Sequence, residues 1–336
     1  MIITQTPFRM SFFGGGTDFP DFFREHGGAV LSTTFDKYCY VNVRHLPPFF
    51  EYRNELSYAK TERVSKVEDI VHPAIREAMK YLDMHEIRLS YEADLPARSG
   101  LGTSSSFAVG MLQAFHALKG QYVDKKKLAD EAIYLERVLC KEEGGIQDQI
   151  AASFGGLNRI DFHGNDYTVH PVIISEEKKE RLNDSLVLFF TGFSRFSSDI
   201  QKSTKKALGD KERELLTMKD LVDEAEKILT ARADNLDEFG RLLDETWRLK
   251  RGISQEISNN SIDAVYEQAK RCGALGGKLL GAGGGGFLLF YVRPELQSEF
   301  LKEMKNLLHV PFRFETIGTR VLHYTPEAFD QTKTVD

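Results

Sequence analysis

The stretch LPARSGLGTSSSFAVG, from Leu95 to Gly110, constrains the fold of this chain most strongly. Its proline ends a strand because it lacks a backbone donor, and a segment with helical periodicity follows. Gly100 and Gly102 can adopt positive φ and let the backbone approach a ligand closely. The N–H groups and the positive end of the helix dipole then face the loop. A helix cap needs one hydroxyl residue, whereas this loop has four. The loop therefore predicts a phosphate-binding site.

A second glycine-rich segment, LLGAGGGGFLLF, holds five glycines between Gly281 and Gly286. It formally matches the G-x-G-x-x-G dinucleotide fingerprint, which should follow a strand and open a helix. Here a predicted helix precedes the glycines and a predicted strand follows them. A tight turn needs fewer glycines, and each carries an entropic cost. We therefore expect the run to pack against a ligand or the phosphate loop, with Gly283 and Gly284 on the substrate side.

With 336 residues, the chain is long for one core, so two domains are expected, at 1–178 and 179–336. The charged segment Ile174–Asp184 is interpreted as a connector between strands. Strands are predicted at Tyr38–Leu46, Glu86–Asp94, Ser185–Phe190 and Gly286–Val292. Helices are predicted at His72–Leu82, Ser106–Gly120, Lys125–Cys140, Lys211–Arg232, Leu236–Ser254 and Ile262–Arg271. The predicted fold class is mixed α+β.

The composition excludes several classes of protein. A hydrophobic content of 41% with 28% charged residues is typical of a soluble globular chain. The net charge of −6 argues against a nucleic-acid binder, and no apolar stretch reaches the length of a membrane span. The N-terminus lacks the features of a signal peptide. Three widely spaced cysteines form neither a disulfide framework nor a zinc motif. We expect a reduced, cytoplasmic protein without nucleic-acid or membrane partners.

Three motifs stand in order along the chain: TPFRMSFFGGGTD (Thr6–Asp18), LPARSGLGTSSS (Leu95–Ser106) and KLLGAGGGGF (Lys278–Phe287). Together they resemble the GHMP small-molecule kinases, over almost the whole chain. The resemblance implies ATP-dependent phosphorylation of a small hydroxyl compound, and it allows a homodimer. It also implies an N-terminal domain like domain 2 of ribosomal protein S5, followed by a ferredoxin-like C-terminal domain.

The resemblance also implies roles for individual residues. The predicted ATP-binding residues are Pro96, Gly100, Leu101, Gly102, Thr103, Ser104, Ser105 and Ser106. Magnesium is expected between Ser104 and Glu136. Ser105, one position after Ser104, is the neighbouring hydroxyl. Asp148 matches the catalytic aspartate, and Arg9 matches an arginine near the reacting centre. The predicted sugar-binding residues of the first motif are Gly14, Gly15, Gly16, Thr17 and Asp18.

Three of these assignments have a simpler structural alternative. Glu136 would lie on a solvated helix face if it had no ligand. Asp148 would cap the helix that follows it. Arg9 would form an ordinary surface ion pair.

The first motif also bears on the substrate. Galactokinase has G-E-H-T-D where this chain has three glycines, Gly14–Gly16, before Thr17 and Asp18, so the site should be roomier or form an anion-binding backbone nest. The surrounding sequence resembles the heptose kinases of the family, which phosphorylate the anomeric hydroxyl of D-glycero-D-manno-heptose 7-phosphate. Fucokinase is the alternative, and a non-catalytic sugar sensor is a third.

A remote phosphate on the sugar would need a cationic partner. Arg195, in TGFSRFSSD, is the predicted partner because its planar fork can hold phosphate with two hydrogen bonds. Lys37, Arg44 and Arg98 are the further candidates.

Overall fold

Residues 1–97, 99–192, 211–233, 235–254 and 256–326 are described in a computed structural model of the chain. The strands are β1 Ile2–Phe13, β2 Gly28–His45, β3 Asn54–Ser57, β4 Thr61–Val64, β5 Ile87–Ala93, β6 Asn158–His163, β7 Asp166–Pro171, β8 Leu186–Phe190, β9 Gly276–Leu279, β10 Phe287–Tyr291, β11 Leu308–His309, β12 Phe314–Glu315 and β13 Arg320–Tyr324. The helices are α1 Pro20–His26, α2 Pro73–Tyr81, α3 Thr103–Leu118, α4 Lys125–Tyr134, α5 Gln147–Phe154, α6 Glu176–Asp184, α7 Glu212–Thr230, α8 Leu236–Ile253, α9 Asn260–Arg271 and α10 Pro294–Glu303. A 3-10 turn spans Val67–Asp69, and a π-helical turn spans Leu135–Leu139.

Within the described residues, the larger sheet has nine strands, six of them in the order β13-β1-β2-β5-β3-β4. The β6–β7 hairpin and β12 attach to β2. Strand β2 reaches several partners because it is 18 residues long. Its first part, Gly28–Ser32, pairs with β6, whereas Cys39–His45 pairs with β5. The sequence predicts only the second part, because the first part lacks a clear alternation of polar and apolar residues.

The smaller sheet has four antiparallel strands in the order β11-β8-β10-β9. In chain order, helices separate β8 from β9, and α10 separates β10 from β11, which is the β-α-β-β-α-β pattern of a ferredoxin-like unit. The predicted two-domain α+β architecture is confirmed. Strands β12 and β13 leave the second unit and join the first sheet. The division between 178 and 179 remains a proposal.

Strand β1 lies at the centre of the molecule. It is buried along nearly its whole length, and α3, α7 and α8 pack against it. The rings of Phe12 and Phe13 meet Phe239 of α8 edge-on, with centroids 5.4 and 5.0 Å apart. Phe8 of β1 and Leu289 of β10 belong to one hydrophobic cluster, so the two sheets share a core. The described helices include none that is long and apolar enough to cross a bilayer.

The segment Ile174–Asp184 is not a plain connector, because most of it forms helix α6. The hydroxyl of Ser175 accepts a hydrogen bond from the Lys178 N–H at 3.2 Å and caps the helix. Glu176 and Glu177 then lie in the first turn, where negative charge is favourable. The many charged residues made this segment look like a connector. The capping serine and the acidic first turn are sequence signals that predict a helix.

Candidate active site

The predicted phosphate loop turns the chain from β5 into α3. Gly102 has φ +72° and ψ +24°, a left-handed conformation that suits glycine. The helix begins at Thr103 rather than at the predicted Ser106, so three hydroxyl residues lie in its first turn. Gly100, Gly102 and Thr103–Ser105 line a cavity, the phosphate cavity, together with Arg9, Glu136, Arg137, Glu142, Glu143, Gly144, Gly145, Asp148, Gln149, Gly281 and Ala282. The N-terminal turn of a helix facing such a cavity suits an anion.

The other three predicted ATP-binding residues lie outside the lining of this cavity. Pro96 is exposed before the loop. Leu101 is buried, and its carbonyl accepts a hydrogen bond from the Arg9 N–H at 3.2 Å. The Ser106 hydroxyl donates to the Pro7 carbonyl at 3.0 Å. Leu101 and Ser106 therefore fasten the loop to β1.

The second glycine run packs against the phosphate loop, as the sequence predicts. Gly281 has φ +75°, and a Cβ there would collide with the backbone of Gly100. Gly283 and Gly284 lie elsewhere, beside Ile257, whose carbonyl accepts a hydrogen bond from the Gly284 N–H at 3.0 Å. Gly281 and the neighbouring Ala282 line the phosphate cavity and also a second cavity beside it, whereas Gly283 and Gly284 are in the lining of neither.

Glu136 lies in the π-helical turn after α4, a local distortion often found at functional sites. Its Oε1 accepts a hydrogen bond from the Ser104 hydroxyl at 3.0 Å, and its Oε2 accepts one from Ser105 at 2.7 Å. The Gln149 amide also donates to Oε2. Burial, with a smaller effect from the charge of Glu142, raises the pKa of Glu136 to about 7. The solvated-face alternative is wrong, because only 3% of Glu136 is exposed.

These groups suit a hard cation. Ser104, Ser105 and Glu136 present oxygen atoms, which Mg²⁺ prefers as ligands. The Oε1 atom of Gln149 beside them is buried, with no hydrogen-bond partner in the described ranges. A buried carboxylate with a raised pKa also lacks a compensating positive charge. The described residues contain no cluster of three or more His, Cys, Asp or Glu side chains that could hold a metal. A magnesium ion would therefore need nucleotide oxygens as well.

Arg9 and Asp148 form a two-pronged ion pair. Arg9 Nε donates to Asp148 Oδ1 and Nη2 donates to Oδ2, each at 2.7 Å. Arg9 Nη1 also donates to the Gly100 carbonyl at 2.7 Å. The Arg9 side chain is only 5% exposed, so the surface-pair alternative is wrong. A bidentate pair fixes the plane of the carboxylate as well as its position.

The N-terminus of α5 is held by Asp18 rather than by Asp148. Asp18 Oδ2 accepts the Gln147 N–H at 3.3 Å, and its carbonyl accepts the Ile146 N–H at 3.1 Å. Asp18 Oδ1 accepts the Gly16 N–H at 3.0 Å. Burial, then the charge of Asp148, raises the pKa of Asp18. Asp18 thus holds the start of α5 in place and also lines a cavity of the site.

A second cavity, the sugar cavity, adjoins the first. It is lined by Arg9, Ser11, Gly15, Gly16, Asp18, Phe19, Gly145, Gln147, Asp148, Lys250, Ile253, Ile257, Lys278, Gly281 and Ala282. Of the five predicted sugar-binding residues, Gly15, Gly16 and Asp18 are in this lining. The hydroxyl of Thr17 instead donates to the carbonyl of Gly14 in the same turn and to that of Ala29 on β2. The N–H groups of Gly16 and Thr17 are bonded within the same turn, so the predicted backbone anion nest is already occupied there.

Two buried lysines in the sugar cavity were missed as site residues. Lys250 of α8 donates to the Leu279 carbonyl at 3.3 Å and also to Gly281, and Lys278 of β9 donates to the Phe12 carbonyl at 2.7 Å. Burial, then the charge of Arg9, lowers the pKa of Lys250 to about 8. Burial, then the charge of Lys250, lowers the pKa of Lys278 well below its usual value. Lys278 is the first residue of the third motif, so its position could have indicated a role in the site. Lys250 lies on a helix with many charged residues, and nothing in the sequence distinguishes it from them.

Five residues line both cavities: Arg9, Gly145, Asp148, Gly281 and Ala282. A phosphate group in one cavity and a hydroxyl in the other would therefore meet at the Arg9–Asp148 pair. The predicted remote-phosphate residue Arg195, like Arg98, lies outside the described residues. Lys37 forms an ion pair with Asp36 at 2.9 Å.

The chain matches two family models, the GHMP kinases N terminal domain at residues 68–156 and the GHMP kinases C terminal domain at residues 222–309. It is 32% identical to D-glycero-alpha-D-manno-heptose 7-phosphate kinase of Campylobacter jejuni, over 91% of this chain and 93% of that protein. It is 25% identical to a bifunctional fucokinase/GDP-fucose pyrophosphorylase of Arabidopsis thaliana, over 93% of this chain and 31% of that protein.

Solved structures show the same fold. A heptose 1-phosphate kinase from Bacteroides thetaiotaomicron superposes with a TM-score of 0.72 and 24% identity, covering 96% of this chain and 99% of that one. The mevalonate kinase of Methanococcus jannaschii superposes with a TM-score of 0.70 and 19% identity, covering 93% and 98%. The three ordered motifs, the two adjoining cavities and these likenesses agree: the chain belongs to the GHMP kinases, a family of phosphotransferases.

Proposed function

We propose that this protein is an ATP-dependent kinase that phosphorylates the anomeric hydroxyl of D-glycero-D-manno-heptose 7-phosphate, giving the 1,7-bisphosphate used to make nucleotide-activated heptose. The observation that carries the kinase assignment is the meeting of the two cavities at the Arg9–Asp148 pair. Transfer of a phosphoryl group requires positioning and charge neutralisation more than covalent chemistry. The site provides both, and a cytoplasmic location fits the use of ATP.

Each group has a defined task in this proposal. The first turn of α3 holds the phosphates of ATP. Ser104 and Glu136 hold magnesium, which neutralises phosphate charge when bound. Asp148 accepts a hydrogen bond from the attacking hydroxyl and orients it, since Arg9 fixes the carboxylate in place. The Arg9 guanidinium lies beside the reacting groups and stabilises the negative charge that develops there.

A phosphorylated sugar fits the sugar cavity better than a neutral one. Among the described residues, Arg9, Lys250 and Lys278 bring three cationic groups into the lining, against the two carboxyl groups of Asp18 and Asp148. Burial lowers the pKa of both lysines, and a bound dianion would raise the pKa of each again and stabilise its charged form. A neutral sugar offers no such compensation. The 32% identity to a heptose 7-phosphate kinase supports the same choice, whereas the fucokinase relative is 25% identical.

The experiment incubates the protein with ATP and magnesium, and with one of heptose 7-phosphate, unphosphorylated heptose, L-fucose or galactose. Phosphorus NMR then locates the new phosphate. We expect slow ADP release without sugar, fast release with heptose 7-phosphate, and a new signal at the anomeric position. Fucose turning over as well as heptose 7-phosphate would make fucokinase the better assignment. Equal ADP release with and without every sugar would favour the sugar sensor.

The residue that holds the remote phosphate is tested separately. Arg195→Ala and Lys278→Met are each assayed for the KM of heptose 7-phosphate and of ATP. The variant that lacks the phosphate partner should raise the sugar KM at least tenfold and leave the ATP KM nearly unchanged, since a phosphate in a cleft needs charged donors. If neither variant changes the sugar KM, Lys250, Lys37, Arg44 and Arg98 are the next residues to test.

A further inference from the structure

Two polar side-chain atoms of residues that line the sugar cavity are buried and have no hydrogen-bond partner within the described ranges. They are the hydroxyl of Ser11, on β1, and the Oε1 atom of Gln147, at the start of α5. The two residues are 6% and 8% exposed. Buried polar atoms in folded proteins nearly always have a hydrogen-bond partner. Two such atoms without a partner, in residues that line a binding cavity, indicate that a ligand supplies the missing hydrogen bonds.

The orientation of the Gln147 amide is fixed by Asp18. The Gln147 side chain donates a hydrogen bond to Asp18, and the Gln147 backbone N–H donates to Asp18 Oδ2 at 3.3 Å. A carboxylate only accepts hydrogen bonds when ionised, so the amide nitrogen must face Asp18. The amide oxygen is the atom of this side chain left without a partner among the residues that the structure describes.

Gly15 leaves the space between these two groups open. A Cβ placed on Gly15 would lie 3.7 Å from Ser11 Oγ and 3.9 Å from Gln147 Nε2. A ligand atom entering at the bare α-carbon of Gly15 therefore comes close to the Ser11 hydroxyl and to the nitrogen side of the Gln147 amide group. The first motif thus opens this corner of the cavity with a glycine where a side chain would fill it.

The chemistry of the two groups selects the ligand. An amide oxygen only accepts hydrogen bonds, and a serine hydroxyl both donates and accepts. A phosphate dianion offers acceptors alone, so it would repel the amide oxygen. A sugar hydroxyl donates one hydrogen bond and accepts others, so its chemistry suits both groups. The lysines Lys250 and Lys278 in the same lining are the groups whose chemistry suits a phosphate.

We propose that Ser11 and Gln147 bind a non-reacting ring hydroxyl of the sugar and so select among sugars by its presence and orientation. This inference rests on the proposed function in that it takes the substrate to be a sugar. Gln147 directly precedes Asp148, and both line the cavity, so holding one hydroxyl also positions the sugar for transfer to its neighbour.

The test uses Ser11→Ala and Gln147→Met with heptose 7-phosphate and its mono-deoxy analogues. Each variant should lower kcat/KM for the parent sugar about 10- to 100-fold, because a site that bonds a hydroxyl loses strongly when one partner is removed. The ATP KM should stay within a factor of two. For the deoxy analogue at one ring position, kcat/KM of the parent protein should fall by a similar factor. For the variants, kcat/KM should be little lower with that analogue than with the parent sugar.

Thr246→Val is the matched control. Thr246 of α8 also carries a buried hydroxyl without a partner in the described ranges, but it lies outside the cavity lining. The control should leave kcat/KM unchanged for every analogue. Thermal unfolding establishes whether each variant is folded. If Gln147→Met does not fold, the kinetics of Ser11→Ala alone decide the result.

Two results overturn the proposal. In the first, kcat/KM of the folded variants stays within a factor of two of the parent. In the second, the effects of mutation and deoxygenation multiply at every ring position. Failure of the proposed function has a different signature, because the parent protein itself would then not phosphorylate heptose 7-phosphate. If fucose is the substrate, deoxy-fucoses replace the heptose series. If no sugar is phosphorylated, calorimetric binding of the same sugars tests the two residues alone.

Discussion

Glu136→Gln is expected to stabilise the nucleotide-free protein at pH 8 while abolishing its activity. Burial first, and then the charge of Glu142, raises the pKa of Glu136 from 4.5 to about 7. That rise corresponds to about 3 kcal/mol of destabilisation once the carboxylate is charged. Glutamine keeps the side-chain shape and carries no charge. Its NH₂ group fits less well beside the Gln149 amide, which offsets roughly 1 kcal/mol. The free energy of unfolding should therefore rise by about 2 kcal/mol.

The pH dependence has a definite sign. The unfolded chain releases the Glu136 proton near pH 4.5, whereas the folded chain keeps it until about pH 7. Between these values the folded state binds more protons, so stability falls as pH rises. Above about pH 7 the full destabilisation is present and constant. The advantage of the glutamine variant should therefore grow from pH 4.5 to pH 7 and then level off.

The assay is urea unfolding of the parent, Glu136→Gln and a control, Glu180→Gln, across this pH range. Glu180 is exposed on α6, so its variant should follow the parent at each pH. Magnesium-dependent ATP turnover with sugar is measured in parallel and should be lost in Glu136→Gln alone. The reasoning fails if the parent is the more stable protein at pH 8, or if the difference between parent and variant does not change with pH.

Three other changes have expected outcomes. Asp148→Asn should lower kcat roughly 10²-fold or more at a nearly unchanged ATP KM, and steady-state kinetics within a factor of a few of the parent would remove Asp148 from the chemistry. Gly281→Ala introduces a Cβ at φ +75°, which costs about 1–2 kcal/mol, and its clash with the Gly100 backbone adds to that cost, so the melting temperature should fall and the ATP KM should rise; calorimetry unchanged from the parent would contradict the close packing. Ser104→Ala should weaken Mg-ATP binding more than sugar binding, which titration of each ligand measures.

The local signals in the sequence led to much of the site. The excess of hydroxyl residues after Gly102 predicts the anion-binding turn at the start of α3, and the structure places this turn on a cavity. The resemblance to a family then supplied Arg9, Glu136 and Asp148, which no spacing rule connects. The structure brings all three to the phosphate cavity although they come from three separate elements.

The residues that were missed depend on tertiary packing. Lys250 lies on a helix rich in charged residues, and its burial follows only from how α8 packs under the glycine run. Ser11 lies in an apolar strand, where a serine gives no sign that its hydroxyl faces a cavity. Thr17 shows the opposite error, because its motif position is close to the site but its hydroxyl bonds to the backbone of Gly14 and Ala29.

The return of β13 to the first sheet has a consequence for synthesis of the chain. Ile2–Gln5 pair with Arg320–Tyr324. During translation, this edge of β1 therefore stays unpaired until more than 300 further residues have been synthesised. Until then the nascent chain carries an open strand edge, which invites pairing with other chains. Contacts that join such distant residues also form slowly. Efficient production of this protein should therefore depend on chaperones that shield β1 until translation is nearly complete.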